Sequence, residues 1–235
     1  MTDALVALFG KPFGIVVAQL LIATQYTIYL TLIAFAGGGL IGAAVATAKI
    51  TPSSTARRIA GSYIWLFQSM PLLMLLFILG LGVPRLLALD INPWLAASIA
   101  LTLYASAYLS EVWAGAVAGV AKGQWEAGFA LGLRFRPVLL KIIVPQALRL
   151  ALAPTVGFMV QIIKGTSLAY IIGFHDLMTI GRRWANAPVP GTEPFVIFPL
   201  MALIYFCLCF PLSKLSRHLE RRLGAVHGAD RTAAA

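Results

Sequence analysis

Residues 12–48 read PFGIVVAQLLIATQYTIYLTLIAFAGGGLIGAAVATA, without one Asp, Glu, Lys or Arg. About 20 consecutive apolar residues suffice for a helix to cross the hydrocarbon layer of a membrane, so this stretch can span one, with the helix expected from about Leu20 to Ala48. Its surroundings have the same character. Of 235 residues, 60% are hydrophobic and 11% charged, whereas soluble domains run near 45–50% and about 25%. A mean hydropathy of +0.89 excludes a water-soluble globule, and it excludes a disordered chain, which lacks apolar residues. The chain is an all-α integral membrane protein. Before Lys11 there is Asp3 and no base, and the first apolar run is too long for a cleaved leader. That run is expected to stay in the membrane.

Four further runs follow. Ile59–Pro84 is uncharged, as is Ile91–Ser110, which continues past Glu111 to Ala121. Leu150–Ile163 is short and closed by Lys164, but flanking residues extend it to an interrupted span over 141–174. Pro194–Ser213 leads into the basic stretch Lys214–Arg222. Spans are thus expected near 20–48, 59–84, 91–121, 141–174 and 194–213, five in all, with the termini on opposite sides.

Basic residues decide which side. Lys49, Arg57 and Arg58 share a side with Lys122, Arg134, Arg136, Lys141, Arg149, Lys214, Arg217, Arg221, Arg222 and Arg231, thirteen in total. The opposite side carries five: Lys11, Arg85, Lys164, Arg182 and Arg183. Lys and Arg accumulate in cytoplasmic loops, so the N-terminus is expected outside and the C-terminus in the cytoplasm. The same rule accounts for the net charge of +10. Thinly spread bases separated by long uncharged runs do not make a nucleic-acid footprint.

Cys207 and Cys209 stand two apart, so on a helix they point to different sides and cannot bridge. His175, His218 and His227 have no Cys, His or carboxylate at ligand spacing, and no metal site is expected. Gly38-x-x-x-Gly42 and Gly115-x-x-x-Gly119 are small-residue patterns that let helices approach closely, read here as packing within the chain.

The most informative segment outside the spans is KGQWEAGFALGLRFRP, residues 122–137. It reads as a short helix with both ends marked. Gly123 can cap its start, with Glu126 three residues on near the positive end of the dipole. Gly132 stands where a left-handed residue stops a helix, and Pro137 is placed to open the next one. Ala127, Gly128 and Ala130 give it small sides, and Phe129 and Leu131 project as apolar knobs. Such a helix suits a groove on a partner; the alternative, a helix lying on lipid, prefers a polar-basic face, and here the bases fall outside the helix.

At these residues the chain resembles a known family. Glu126-Ala127-Gly128, then Gly132, then Ile142, Val144 and Pro145 resemble the "EAA…G…I-LP" loop of permease subunits of ABC importers. Lys122-Gly123-Gln124, Ala130-Leu131-Gly132, Val144-Pro145-Gln146-Ala147-Leu148-Arg149 and Lys164-Gly165-Thr166-Ser167-Leu168 are similar to the branch importing polar amino acids. Pro71-Leu72-Leu73 and Ala107-Tyr108-Leu109-Ser110-Glu111 extend the likeness to about residues 20–222. The resemblance implies one transmembrane permease domain over 1–222, with a coupling loop over 119–149 and a disordered cytoplasmic tail over 223–235. It implies a bacterial inner-membrane subunit paired with a second permease, identical or homologous. Two cytoplasmic ATPase subunits would carry the ATP and magnesium, this chain binding no cofactor, and an extracytoplasmic amino-acid-binding protein would deliver substrate. Gly123, Glu126, Ala127, Gly128, Leu131, Gly132 and Pro145 would form the coupling loop.

Several positions depart from the family pattern. Gln68-Ser69-Met70-Pro71 replaces an Arg-Gly pair before the proline, and Glu111 is followed by Val112-Trp113-Ala114-Gly115 instead of Arg-Gly. The loop's second alanine is Gly128. In the fourth span Gly157-Phe158 stands for an Asn and a polar neighbour, and Lys164-Gly165-Thr166-Ser167 for Lys-Asp-Thr-Ser. The coupling loop is kept while the lining of the path has changed. Candidate pathway residues are Gln68, Glu111, Gly157, Phe158, Gln161, Lys164, Thr166 and Ser167. Charges within spans are costly and are functional candidates. Glu111 can line the path or serve in an ion pair. Lys164 can border a helix break that binds substrate, or snorkel to the surface. Pro145 is expected to kink its helix, and Leu212–Arg222 to contact anionic membrane lipid.

The chain has no G-x-x-x-x-G-K-[ST] phosphate loop, so the reading is a permease subunit without chemistry of its own. The alternative is an ion-coupled secondary transporter acting without an ATPase, which would show internal repeats and more intramembrane carboxylates. No Ser-His or metal-ligand arrangement supports an intramembrane enzyme.

Overall fold

No proline interrupts residues 13–51, and in the computed structural model, which describes residues 2–232, the first long helix begins directly after Pro12. Helix α2 runs Phe13–Ile50, after a short α1 (Thr2–Phe9). It therefore starts seven residues before the expected Leu20. At 1.5 Å per residue its 38 residues reach about 57 Å, nearly twice the hydrocarbon thickness. Helix α3 (Ser54–Ser69) is capped by Ser53, whose Oγ accepts from the Ala56 N–H at 3.4 Å.

The run 59–84, expected as one span, is bent within its length. α3 ends at Ser69, and α4 (Leu72–Phe77), a π turn (Ile78–Gly82) and α5 (Val83–Leu87) leave it at 96°. The reason is local. A residue before proline is pushed to extended backbone, and Met70 adopts φ −89°, ψ 128°. Pro71 then opens α4 without an N–H to continue the helix. Among the described residues four helices are thus long and apolar enough to cross a membrane, or five with this bent pair counted as one.

Helix α6 (Pro93–Ala118) starts at Asn92, whose Oδ1 accepts from Trp94 N–H at 2.9 Å. After the short α7 (Lys122–Ala130) come α8 (Phe135–Val138), a π turn (Leu139–Ile143), α9 (Val144–Thr166) and a 3₁₀ segment (Ser167–Ile172). Together they form one 38-residue rod, Phe135–Ile172. The break expected at Gly165–Ser167 is thus a tightening of the helix. Thr166 Oγ1 donates to Ile163 O and Ser167 Oγ to Lys164 O, so hydroxyls satisfy carbonyls that a break would expose. Pro145 does not snap the rod either; the missing N–H is absorbed by the wide turn just before it. Helix α10 (Leu177–Ala185) and the long α11 (Pro194–Thr232) complete the chain. α11 continues through Thr232, so the tail expected to be disordered over 223–235 is helical that far, and residues 233–235 lie outside the described residues.

α2 and α6 lie against each other along a seam of small residues. A Cβ on Gly38 would stand 2.5 Å from Ala105 Cβ, and one on Gly42 3.0 Å from Ser106 O. Gly115, by contrast, has open space beside it, so only the first small-residue pattern makes a tight contact within the chain. The main core gathers Leu30, Ala34, Leu101, Leu109, Phe158 and Ile162 from α2, α6 and α9. A second cluster joins Val16 and Leu20 of α2 to Leu177 of α10 and Ile197 of α11 at the far end. A third lies at the end that carries α7. Cys207 is exposed and Cys209 buried, on different sides of α11.

At the far end Asp176 caps α10, its Oδ1 accepting from Thr179 N–H at 3.0 Å. The carboxyl is fully buried, and Oδ2 has no hydrogen-bond partner. Burial pushes its pKa up to about 6, against lowering by hydrogen bonds from Thr179 and the Met178 backbone. A carboxyl raised in the fold binds its proton more tightly than in the unfolded chain. Its stabilising contribution is present below the ordinary value of 3.8 and is lost as pH rises through 6. Asp176→Asn keeps the cap and removes the titration. The thermal midpoint of the wild-type chain in detergent should fall between pH 5 and 7.5 relative to that of the variant. The full shift corresponds to about 3 kcal/mol, of which about half, ~1.4 kcal/mol, is lost within that window. Parallel pH profiles for the two proteins would contradict it.

Candidate functional site

Helix α7 is placed by its two ends and by one glycine. It begins at Lys122, two residues before the start expected from a cap at Gly123, so Gly123 lies inside the first turn and is not the cap. Ala121 holds the cap position with extended backbone (φ −53°, ψ 134°) and no side-chain hydrogen bond. The C-terminal end matches its sequence signal. Gly132 has φ +74°, Leu133 N–H donates to Gly128 O (3.2 Å), and Gly132 N–H donates to Phe129 O (2.9 Å). These two bonds define a Schellman stop with Gly132 in the left-handed position.

Gly128 is the seat of α7. It is the one buried residue of the helix, and a Cβ there would approach Val138 Cγ2 at 2.8 Å and Ile142 Cδ1 at 3.3 Å. The glycine that replaces the loop's usual second alanine is matched by the β-branched Val138 beneath it. Trp125 stacks on Phe135 at 5.8 Å between ring centroids. Gln146 Nε2 donates to Gln124 Oε1 at 3.1 Å and ties α7 to the start of α9. Trp125 and Phe135 join Val117, Val120, Val138 and Ile143, and Ile50 from the end of α2 packs on the same cluster. α7 is therefore locked to the ends of three long helices.

Its other side is free in this chain. Leu131 is 78% exposed and Phe129 48%, and Glu126 and Ala127 are exposed beside them. Burying side chains of that size in a partner's groove contributes about 1.5–3 kcal/mol each. Pro145 lies near the start of α9, exposed.

The pathway candidates do not come together as one group. Gln68 ends α3 just before the 96° bend, its Nε2 donating to Ala107 O at 3.4 Å. Phe158 is buried in the core, stacked on Tyr108 at 5.3 Å and Tyr104 at 6.2 Å. Gly157, Gln161 and Lys164 follow one face of α9 by helical spacing. Gly157 packs toward Ser216 of α11, and Gln161 and Lys164 are exposed. Thr166 is buried and Ser167 half-buried, both turned onto their own helix. Glu111 is at the opposite end of the bundle from Lys164, in an ion pair with Lys49.

That pair was not legible as a pair. Lys49 and Glu111 are the lone opposite charges closing two uncharged runs, which is the signal that could have matched them. The sequence carries no mark for the contacts of Trp125 and Val138 or for the Gln124–Gln146 bond either, because contacts across 10–22 positions depend on how α7 folds back. Among the described residues no three or more His, Cys, Asp or Glu side chains gather to hold a metal.

Comparison with known proteins adds to this geometry. Residues 38–225 match a family described as binding-protein-dependent transport system inner membrane component. The chain is similar to the L-cystine transport system permease protein TcyB of Bacillus subtilis, 33% identical over 202 residues, covering 84% of this chain and 83% of that protein. It is 32% identical to the probable glutamine ABC transporter permease protein GlnP of the same organism over 202 residues, covering 86% and 90%. Among solved structures, the crystal structure of an amino acid ABC transporter with histidines superposes with a TM-score of 0.80 at 27% identity, over 87% of this chain and 94% of that one. An inward-facing MetNI methionine ABC transporter shares the fold at 18% identity, with a TM-score of 0.67 over 85% and 95%.

Proposed function

The chain belongs to the family of binding-protein-dependent transport system inner membrane components, and from that premise we propose that it forms the translocation path for a polar amino acid, driven by separate ATPase subunits that grip α7. It is an all-helical membrane permease of the ABC importer type, and its family is one of transport components, not enzymes. The observation that carries the reading is the two-sidedness of α7. One face is locked through Gly128 into the ends of the long helices, while Phe129 and Leu131 stand out of the opposite face. A displacement applied to those knobs reaches the bundle instead of bending a free loop.

The finer parts of the reading are these. Two ATPase subunits bind ATP and magnesium, this chain binds no cofactor, and a second permease, identical or homologous, completes the path. An extracytoplasmic binding protein delivers the substrate. The excess of bases at the α7 end supports a cytoplasmic C-terminus and an external N-terminus in a bacterial inner membrane. Relatives named for cystine and glutamine transport support a polar amino acid as cargo. Gln161 and Lys164, exposed on one face of α9, are the side chains best placed to meet it, with Gln68, Gly157, Phe158, Thr166 and Ser167 shaping the wall.

The test is reconstitution in liposomes of the chain with its partner permease, ATPase and binding protein. Amino-acid uptake is expected only with ATP inside and all components present. Uptake by the chain alone, driven by an ion gradient, would replace this reading with that of a secondary transporter.

A further inference from the structure

α2 and α6 are held unevenly along their length. Midway they touch through Gly38 and Gly42, with no room for a Cβ at Gly38. Toward the α7 end Ile50 still packs on the cluster holding Val117, but the seam is open on one side. Gly115 has nothing within 4 Å of where a Cβ would sit, and an open pocket of about 360 Å³ lies between the helix ends and Trp125 of α7. The Lys49–Glu111 ion pair bridges that gap, its side chains 33% and 46% exposed.

A partly exposed ion pair contributes little to stability, so stability alone does not account for the carboxylate of Glu111 opposite Lys49. Their position does. Lys49 precedes Ile50, which packs on the cluster that includes Trp125, and Glu111 shares the pocket wall with Trp125. We infer that Lys49 and Glu111 are positioning residues: their pair clasps α2 to α6 across the open side of the seam, so that movement of α7 displaces both helices together. This rests on the coupling role proposed for α7. Without the clasp, a push on Trp125 would move the end of α6 into the pocket and leave α2 behind, and ATP would be spent without transport.

The experiment uses the full complex in liposomes and reads amino acid imported per ATP hydrolysed. Glu111→Gln and Lys49→Gln should each lower that ratio at least fivefold, with basal ATPase activity and the amount of assembled complex unchanged. The exchange Lys49→Glu with Glu111→Lys should restore it to within twofold of wild type. Single variants that keep the wild-type ratio, or an exchange no better than the worse single variant, overturn the clasp. Should the single variants assemble poorly, Lys49→Cys with Glu111→Cys is read in a Cys207→Ala, Cys209→Ala background, before and after a short bis-maleimide linker. Linking must raise import per ATP, and no gain overturns the inference. A wild-type complex that imports nothing with ATP would instead defeat the coupling reading of α7.

Discussion

Gly132→Val abolishes uptake while leaving the chain inserted in the membrane. At φ +74° a β-branched residue is strongly disfavoured, and holding a non-glycine residue in such backbone costs about 1–3 kcal/mol. Nothing lies within 4 Å of a Cβ there, so the effect is conformational and not a clash. Valine opens the two bonds that close α7, Leu133 N–H to Gly128 O and Gly132 N–H to Phe129 O. Leu131 then swings away from Phe129, and the surface offered to a partner is gone. Uptake should fall at least tenfold, the equivalent of about 1.4 kcal/mol. Gly132→Asn is the control, because asparagine tolerates left-handed backbone, and it should transport far better than valine. Equal transport by the two variants would remove the helix stop, and with it the docking role of α7.

The second large effect is at the α2–α6 seam. In Gly38→Ala the new methyl group would stand 2.5 Å from Ala105 Cβ, so the helices must part. Overpacking of this kind costs about 1–3 kcal/mol, which in a chain of this size lowers the thermal midpoint by about 3–10 °C. Ala105→Gly on the opposing helix vacates the contact and should recover part of the loss in the double variant. The recovery is incomplete, because Ser106 N and Ala105 C remain at 3.1 and 3.2 Å from the new Cβ. A double variant less stable than Gly38→Ala would show that the two positions do not meet.

Both effects concern residues whose importance is written in the sequence while their partners are not. Gly132 announces a helix stop by its place after Ala130-Leu131, and the stop forms as read. The start of α7 lies two residues before the one that a cap at Gly123 would set, since glycine carries no side chain that would mark a cap against its neighbours. Gly38-x-x-x-Gly42 announces a close approach, but Ala105 and Ser106 are more than sixty positions away and carry no matching mark. The span expected over 59–84 is bent at Met70-Pro71, where hydropathy continues unbroken although the backbone cannot. The break expected at Gly165–Ser167 failed in the opposite sense, because hydroxyls that can interrupt a helix can also bond back to it.

What the sequence determined by itself is what depends on neighbours along the chain: membrane residence from uncharged runs, helical class from the need to satisfy every backbone group in lipid, and the stop at Gly132. The tertiary structure alone decided what depends on residues distant in sequence. It set Gly128 on Val138, paired Lys49 with Glu111, left Asp176 buried without a partner for one oxygen, and separated Glu111 from Lys164 by the length of the bundle. Periodicity and hydropathy report which face of a helix avoids water. They carry no term for which other helix that face will meet.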